Sequence, residues 1–186
     1  MHQKPINSGW IEVICGGMFS GKTEELLRRI RRAKIANLST IIFKPHIDTR
    51  YRKNKIVSHN NNSMDSVIIK KTEDLFDIGN KYDVVGIDEA QFFDIDLIKI
   101  CKKLASKNTR VIVAGLDSDY RGSPFGLMPD IMCESDYLDK LTAICIKCGN
   151  PASFTQRITK QLEQVVIGET DIYEARCRNC YEPPKK

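Results

Sequence analysis

The sequence predicts an α/β protein: a P-loop parallel sheet domain covered by helices, followed by a small C-terminal zinc-binding domain. Three observations carry that expectation. Short apolar, β-branched runs alternate with segments of helical periodicity, the pattern of strands joined by crossover helices in a mainly parallel sheet. A glycine-rich loop, Gly16-Gly17-Met18-Phe19-Ser20-Gly21-Lys22-Thr23, stands between the first such run and the first such helix. Two CxxC pairs, Cys145 with Cys148 and Cys177 with Cys180, bracket a segment near the C-terminus.

In chain order, residues 10–15 (WIEVIC) form the first strand, and residues 22–38 a helix on the spacing of Leu26, Leu27, Ile30 and Ile35. Residues 40–43 form the next strand, ending at Pro45. The polar stretch 46–62 reads as a surface loop. Residues 67–70 and 84–88 are expected as buried strands with a short helix near 72–78 between them. Residues 94–106 carry helical periodicity, and 111–114 form a further strand closing on Gly115. From Leu116 to about Pro129 the pattern breaks into glycine, proline and aromatics (LDSDYRGSPFGLMP). A boundary near 141 divides a P-loop ATP-binding domain (1–141) from the zinc-binding domain (142–186). Within the latter, Val165-Val166-Ile167-Gly168 reads as a strand ending in a turn, followed by Tyr173.

The 186 residues suit one domain with a small appendage. With 41% hydrophobic and 28% charged residues, the composition is that of a folding globular chain rather than a disordered one. A net charge of +5 favours anionic ligands without singling out nucleic acid. No apolar run reaches the ~20 residues of a membrane span, and the first residues lack a secretion signal's apolar core, so a cytoplasmic protein without a membrane partner is expected. Four of the seven cysteines form the CxxC pairs. The other three, Cys15, Cys101 and Cys133, are expected as buried structural thiols.

The loop at 16–23 fits G-x-x-x-x-G-K-[ST] at every specified position, in the strand–loop–helix context that gives the motif its meaning. Its backbone N–H groups can turn inward around phosphate oxygens, and the helix N-terminus adds a positive dipole end. Lys22 then brings a cation to the β and γ phosphates, and Thr23 a hydroxyl to Mg²⁺. Residues 82–89 (YDVVGIDE) read as the second half of such a site, a strand ending in Asp88 as a Mg²⁺ partner. Glu89 beside it could orient water for ATP hydrolysis or accept a proton from a substrate hydroxyl, and the motif alone fits either. Arg50 and Arg121 are candidates for charge neutralisation.

The paired CxxC motifs offer four thiolates to a tetrahedral zinc, and His2, His46 and His59 all lie far from them in sequence. A zinc so occupied has no open position for water and is structural. It would tie together the ends of the 149–176 segment, reducing the conformational entropy lost when that segment closes on a ligand.

Taken together, GGMFSGKT, DTR at 48–50, DEAQFF at 88–93, LDSDYRGSPFG at 116–126, the CxxC pairs and VIGETDIYEARCRNCY at 166–181 resemble the type II, zinc-containing thymidine kinases over nearly the whole chain. The resemblance implies a small zinc domain whose lasso-like loop grips thymine largely through backbone groups, and transfer of the γ-phosphate of ATP to the 5′-hydroxyl of thymidine. It implies Glu89 as the catalytic base. Asp48, Arg50 and Gln91 join the loop residues and Asp88 on the ATP side, and Asp88 and Thr23 support Mg²⁺. On the substrate side it implies Met18, Phe92, Leu116, Tyr120, Phe125, Thr155 and Tyr173, with Gln164, Val165, Val166, Ile167 and Gly168 lining the lasso. The sequence departs from the family at Glu169, where members more often have a second glycine. A homotetramer and feedback inhibition by dTTP are implied in the same way. The rival reading is a P-loop ATPase or DNA-repair factor, with Arg28, Arg29, Arg31 and Arg32 as a basic stripe for nucleic acid.

Overall fold

The computed structural model describes residues 8–47, 55–57, 63–159, 163–164 and 171–184. In chain order the elements are β1 (Trp10–Cys15), α1 (Lys22–Ile35), β2 (Thr40–Pro45), β3 (Lys55–Val57), β4 (Ser63–Asp65), β5 (Val67–Ile69), α2 (Asp74–Gly79) and β6 (Val84–Ile87). After a 3-10 turn (Ala90–Phe92) come α3 (Asp96–Ala105), β7 (Arg110–Gly115), α4 (Met128–Cys133), β8 (Tyr137–Lys140), β9 (Ala143–Ile144), β10 (Pro151–Ala152), β11 (Phe154–Arg157) and β12 (Tyr173–Arg176). Among the described residues, six strands form one sheet in the order β5-β2-β6-β7-β1-β8, with every pairing parallel.

Side-chain alternation along these strands builds two apolar layers. Ile11, Val13, Cys15, Val85, Ile87, Val111 and Val113 face α2, α3 and α4, meeting Leu75, Leu97, Leu104 and Met128. Ile14, Ile42, Val84, Ile112 and Ala114 face α1, meeting Leu26, Leu27, Ile30 and Ala33. Ile30 is fully buried, and truncating such a residue to alanine costs about 2–5 kcal/mol.

Glu12 is the exception on β1, a carboxylate only 1% exposed in an apolar strand. Its Oε2 accepts from Arg29 Nη1 at 2.6 Å, and its Oε1 from Arg110 Nε and Trp10 Nε1, each at 2.6 Å. Burial pushes its pKa up, but the hydrogen bonds and charge of Arg110, with those of Trp10 and Arg29, hold it below the ordinary carboxylate value. Arg29 also pairs with Glu25 and Asp139, and Arg28 with Glu25. Arg28 and Arg29 of the expected basic stripe are therefore engaged within the protein.

Several expectations change. The strand expected as buried at 67–70 is β5, which stands at the edge of the sheet among the described residues and leaves Val67 37% exposed. Helix α1 stops at Ile35, which is 81% exposed and packs on nothing in the core. Cys15 and Cys101 are buried as expected, whereas Cys133 is exposed at the end of α4. Burial pushes the Cys15 thiol up to about 11 and the Cys101 thiol up to about 12, which keeps both protonated. Both α4 and β8 fall where no regular element is expected. Pro129 sits in the first turn of α4, where a missing N–H costs nothing. The strand expected at 165–168, most of the 46–62 loop, and His2 and His59 lie outside the described residues.

Candidate active site

The loops that follow β1, β6 and β7 come together at the C-terminal edge of the sheet, where parallel α/β sheets place ligands. After Cys15 the chain turns sharply, with Gly16 at φ 142°. A Cβ there would stand 2.3 Å from the Leu141 carbonyl, so only glycine lets the loop leave the strand. Helix α1 starts at Lys22 behind Gly21, and its first-turn N–H groups point toward the loop. Lys22 Nζ and Ser20 Oγ both donate to the Gly17 carbonyl, at 2.7 and 2.8 Å, shaping the cradle around 16–23.

Across the cradle, Thr23 Oγ1 donates to Asp88 Oδ2 at 3.2 Å. A hydroxyl and a carboxylate this close form the hard-oxygen pair that Mg²⁺ accepts alongside phosphate oxygens and water, so the residues fit that ion. Asp88 is buried, and its N–H donates to the Phe43 carbonyl at 2.9 Å. Immediately after it Glu89 adopts φ 53°, a left-handed conformation unfavourable for a side chain other than glycine. This kink swings the chain out of β6 into the 3-10 turn. Gln91 is 4% exposed; its Nε2 donates to Glu89 Oε2 at 2.6 Å, and its Oε1 accepts from Leu116 N–H at 2.9 Å.

On the other side lie aromatic rings and the cysteine unit. Phe92 and Phe125 meet edge to face, with centroids 5.6 Å apart. Tyr120 is buried beneath the Arg157 guanidinium, whose Cζ stands 3.6 Å from the ring centroid, and Tyr181 Oη donates to the Tyr120 carbonyl at 2.8 Å. Arg157 also donates to Tyr173 Oη at 2.6 Å and to the carbonyls of Glu163 and Gln164. Gln164 Nε2 donates to Asp119 Oδ2, and Asp119 Oδ1 accepts from the N–H groups of Arg121 and Ser123. Thr155 joins the two halves: its Oγ1 accepts from Met18 N–H at 3.0 Å.

The four cysteine Sγ atoms all lie within 4.8 Å of one another, with Cys148 and Cys177 at 3.5 Å. Tetrahedral Zn–S bonds of ~2.3 Å require S···S separations of about 3.8 Å, so the set fits zinc. Burial opposes ionisation of Cys145, yet N–H donors of Cys177, Cys148 and Lys147 bring its thiol down to about 6. Hydrogen bonds with Cys148 and Cys177 push Cys180 up to about 12. Without a cation, four thiols this close cannot all ionise.

The family model described as "Thymidine kinase" matches residues 9–181. The chain belongs to the thymidine kinase family. Relatives named thymidine kinase include one from Rhodothermus sp. (strain ITI 518), 51% identical over 95% of this chain and 83% of its own length. Another, from Bacteroides fragilis (strain ATCC 25285), is 52% identical over 97% of this chain and 90% of its own length. Among solved structures, the genome packaging NTPase B204 of Sulfolobus turreted icosahedral virus 2, in complex with AMPPCP, superposes with TM-score 0.50 at 18% identity. That match covers 71% of this chain and 75% of the other, and shows a shared fold.

Of the residues expected in the site, the cradle meets Asp88 and Thr155, Gln91 meets Glu89 and Leu116, Phe92 meets Phe125, and Arg157 meets Tyr120 and Tyr173. Gln91, expected on the ATP side, spends both ends of its amide on Glu89 and Leu116. Arg121 is exposed and donates from Nε to Tyr120 Oη at 3.1 Å, a position beside the ring rather than in the cradle. Asp48, Arg50, Val165, Val166, Ile167, Gly168 and Glu169 lie outside the described residues. Sequence reasoning missed Arg157 and Asp119.

Proposed function

We propose that this chain is an ATP-dependent deoxynucleoside kinase that transfers the γ-phosphate of ATP to the 5′-hydroxyl of thymidine, and of deoxyuridine, giving the nucleoside monophosphate and ADP. The observation that carries the reading is Glu89, a carboxylate at a left-handed kink directly after Asp88, which meets Thr23 of the cradle, and hydrogen-bonded to Gln91, the neighbour of Phe92. A carboxylate is a weak base toward an alcohol at its ordinary pKa of ~4.3, so proton transfer comes late. The acceptor oxygen bonds to phosphorus, the β–γ bridging bond breaks with its electrons going to ADP, and the hydroxyl proton passes to the Glu89 carboxylate. Lys22 and the loop N–H groups neutralise the charge that builds on the phosphates.

Thr23 and Asp88 would hold Mg²⁺, which would supply further neutralisation of phosphate charge. Cys145, Cys148, Cys177 and Cys180 would hold a structural zinc. Phe92, Phe125, Tyr120 and Tyr173 would flank a pyrimidine, and backbone groups near Gln164 would read its amide edge. We place the enzyme in the cytoplasm as a homotetramer with dTTP as feedback inhibitor, on the family likeness. Among the described residues, no helix is long and apolar enough to cross a membrane. The nucleic-acid reading loses support because Arg28 and Arg29 are ion-paired with Glu25, Glu12 and Asp139.

The test is ADP release from Mg·ATP alone, then with thymidine, deoxycytidine or single-stranded DNA. Stimulation by thymidine alone is expected; DNA-stimulated or acceptor-independent turnover would sink the reading. Glu89→Gln should lower kcat about 10²–10⁴-fold while ATP still binds.

A further inference from the structure

We infer that Gln91 is the positioning residue for Glu89, a clamp that fixes the carboxylate relative to the Leu116 backbone on the acceptor side. The inference rests on Glu89 being the base, and it replaces the ATP-side role expected for Gln91. The amide can be oriented in one way only. Its Oε1 faces the Leu116 N–H, a donor, and its Nε2 faces Glu89 Oε2, an acceptor when ionised. A flipped amide would set acceptor against acceptor and donor against donor.

The surroundings hold the amide in place. Gln91 is 4% exposed. A Cβ on residue 115 would stand 2.9 Å from Gln91 Oε1 and 2.6 Å from Met128 Sδ, so glycine at the end of β7 is what admits the amide. The clamp therefore spans from the end of β6 to the end of β7. Leu116 follows β7 directly, so one amide sets the distance between base and acceptor wall. A glutamate on a kinked turn has several rotamers available, and a base misplaced by about 1 Å can lose about 100-fold in rate.

Two variants read this out. Gln91→Leu removes both hydrogen bonds at similar volume; kcat should fall about 10-fold or more, with KM for MgATP changed less than about threefold because the cradle is untouched. Gln91→Glu keeps the acceptor for Leu116 N–H but sets a second carboxylate against Glu89. The two acids then share a proton, and the acidic limb of the kcat–pH profile should move up by about one unit or more, with activity partly restored at higher pH. A merely structural glutamine would give losses independent of pH. Thermal melting and ATP titration of both variants report whether they fold. Unchanged kcat and pH profile in both variants, with Glu89→Gln inactive, would overturn the clamp alone. An active Glu89→Gln would overturn the clamp and the kinase mechanism together.

Discussion

The phosphate side of the site is eight consecutive residues, 16–23, plus the end of one strand, whereas the acceptor side draws on residues scattered from Phe92 to Tyr181. The cradle takes its shape from local backbone: Gly16 turns the chain, α1 presents its N-terminus, and Lys22 and Ser20 close on the Gly17 carbonyl. The acceptor side has no such continuity. Its rings come from the 3-10 turn, the 116–126 segment and the β11/β12 hairpin, and they stay in register only through long-range ties. Arg157 ties β11 to Tyr173 and to Glu163 and Gln164, while Asp119 ties Gln164 to the 116–126 segment. The cysteine unit ties the ends of the hairpin. A site can thus be half built by local sequence and half by tertiary staples, and the halves should fail separately.

Metal removal should split them most sharply. A structural zinc contributes about 10–16 kcal/mol to the unit it organises, so chelation should unfold 142–181. Thymidine binding should be lost, with ATP affinity changed by less than about tenfold because the cradle rests on β1, α1 and β6. Calorimetric titration of both ligands into chelated protein checks this, and thymidine binding that persists without metal would break the comparison.

Arg157→Met is the next largest. It removes three charge-assisted hydrogen bonds and the cation over Tyr120 while keeping much of the side-chain volume. A loss of about 2 kcal/mol on the acceptor side corresponds to KM for thymidine rising about 30-fold. KM for MgATP should stay within about twofold, since the partners that Arg157 loses, Tyr173, Glu163, Gln164 and the Tyr120 ring, all lie on the acceptor side. An equal rise in both constants would show that the two sides are not separable at this residue.

The same asymmetry governs what could be read from the sequence. The strand cores and helices of the sheet follow from periodicity, and the cradle from its motif, because both are local patterns. The four-cysteine cluster is legible in the CxxC spacing for the same reason. Edge position is not local: β5 looks like a buried strand in sequence and stands at the sheet edge among the described residues. Pro129 hides α4 by its usual meaning as a breaker, although a first-turn proline is compatible with a helix. Gln91 shows the limit most clearly. Its place in DEAQFF suggests phosphate contact, and only the approach of Leu116 from the next strand reveals where its amide is spent. The substrate-side roles expected of Phe92, Tyr120 and Tyr173 come through resemblance to a family, since no spacing rule links them.

Thr155 is the place where the separation should fail, with the smallest effect of the three. It sits on β11 among the acceptor residues, 4% exposed, yet its Oγ1 accepts the Met18 N–H of the cradle at 3.0 Å. Gly17 approaches the same hydroxyl closely enough that a Cβ there would stand 3.3 Å from it. Thr155→Val keeps the shape and removes the acceptor, leaving a partly buried N–H without its partner at a cost of about 1–2 kcal/mol. That cost falls on the contact between the two halves rather than on either one. KM for MgATP and KM for thymidine should therefore both rise, each about three- to tenfold, with kcat reduced less than about threefold. Thr155→Ser, which restores the hydroxyl, should recover both. A change confined to thymidine would make Thr155 an ordinary pocket residue, and the cradle would then be independent of the cysteine unit at this contact as well.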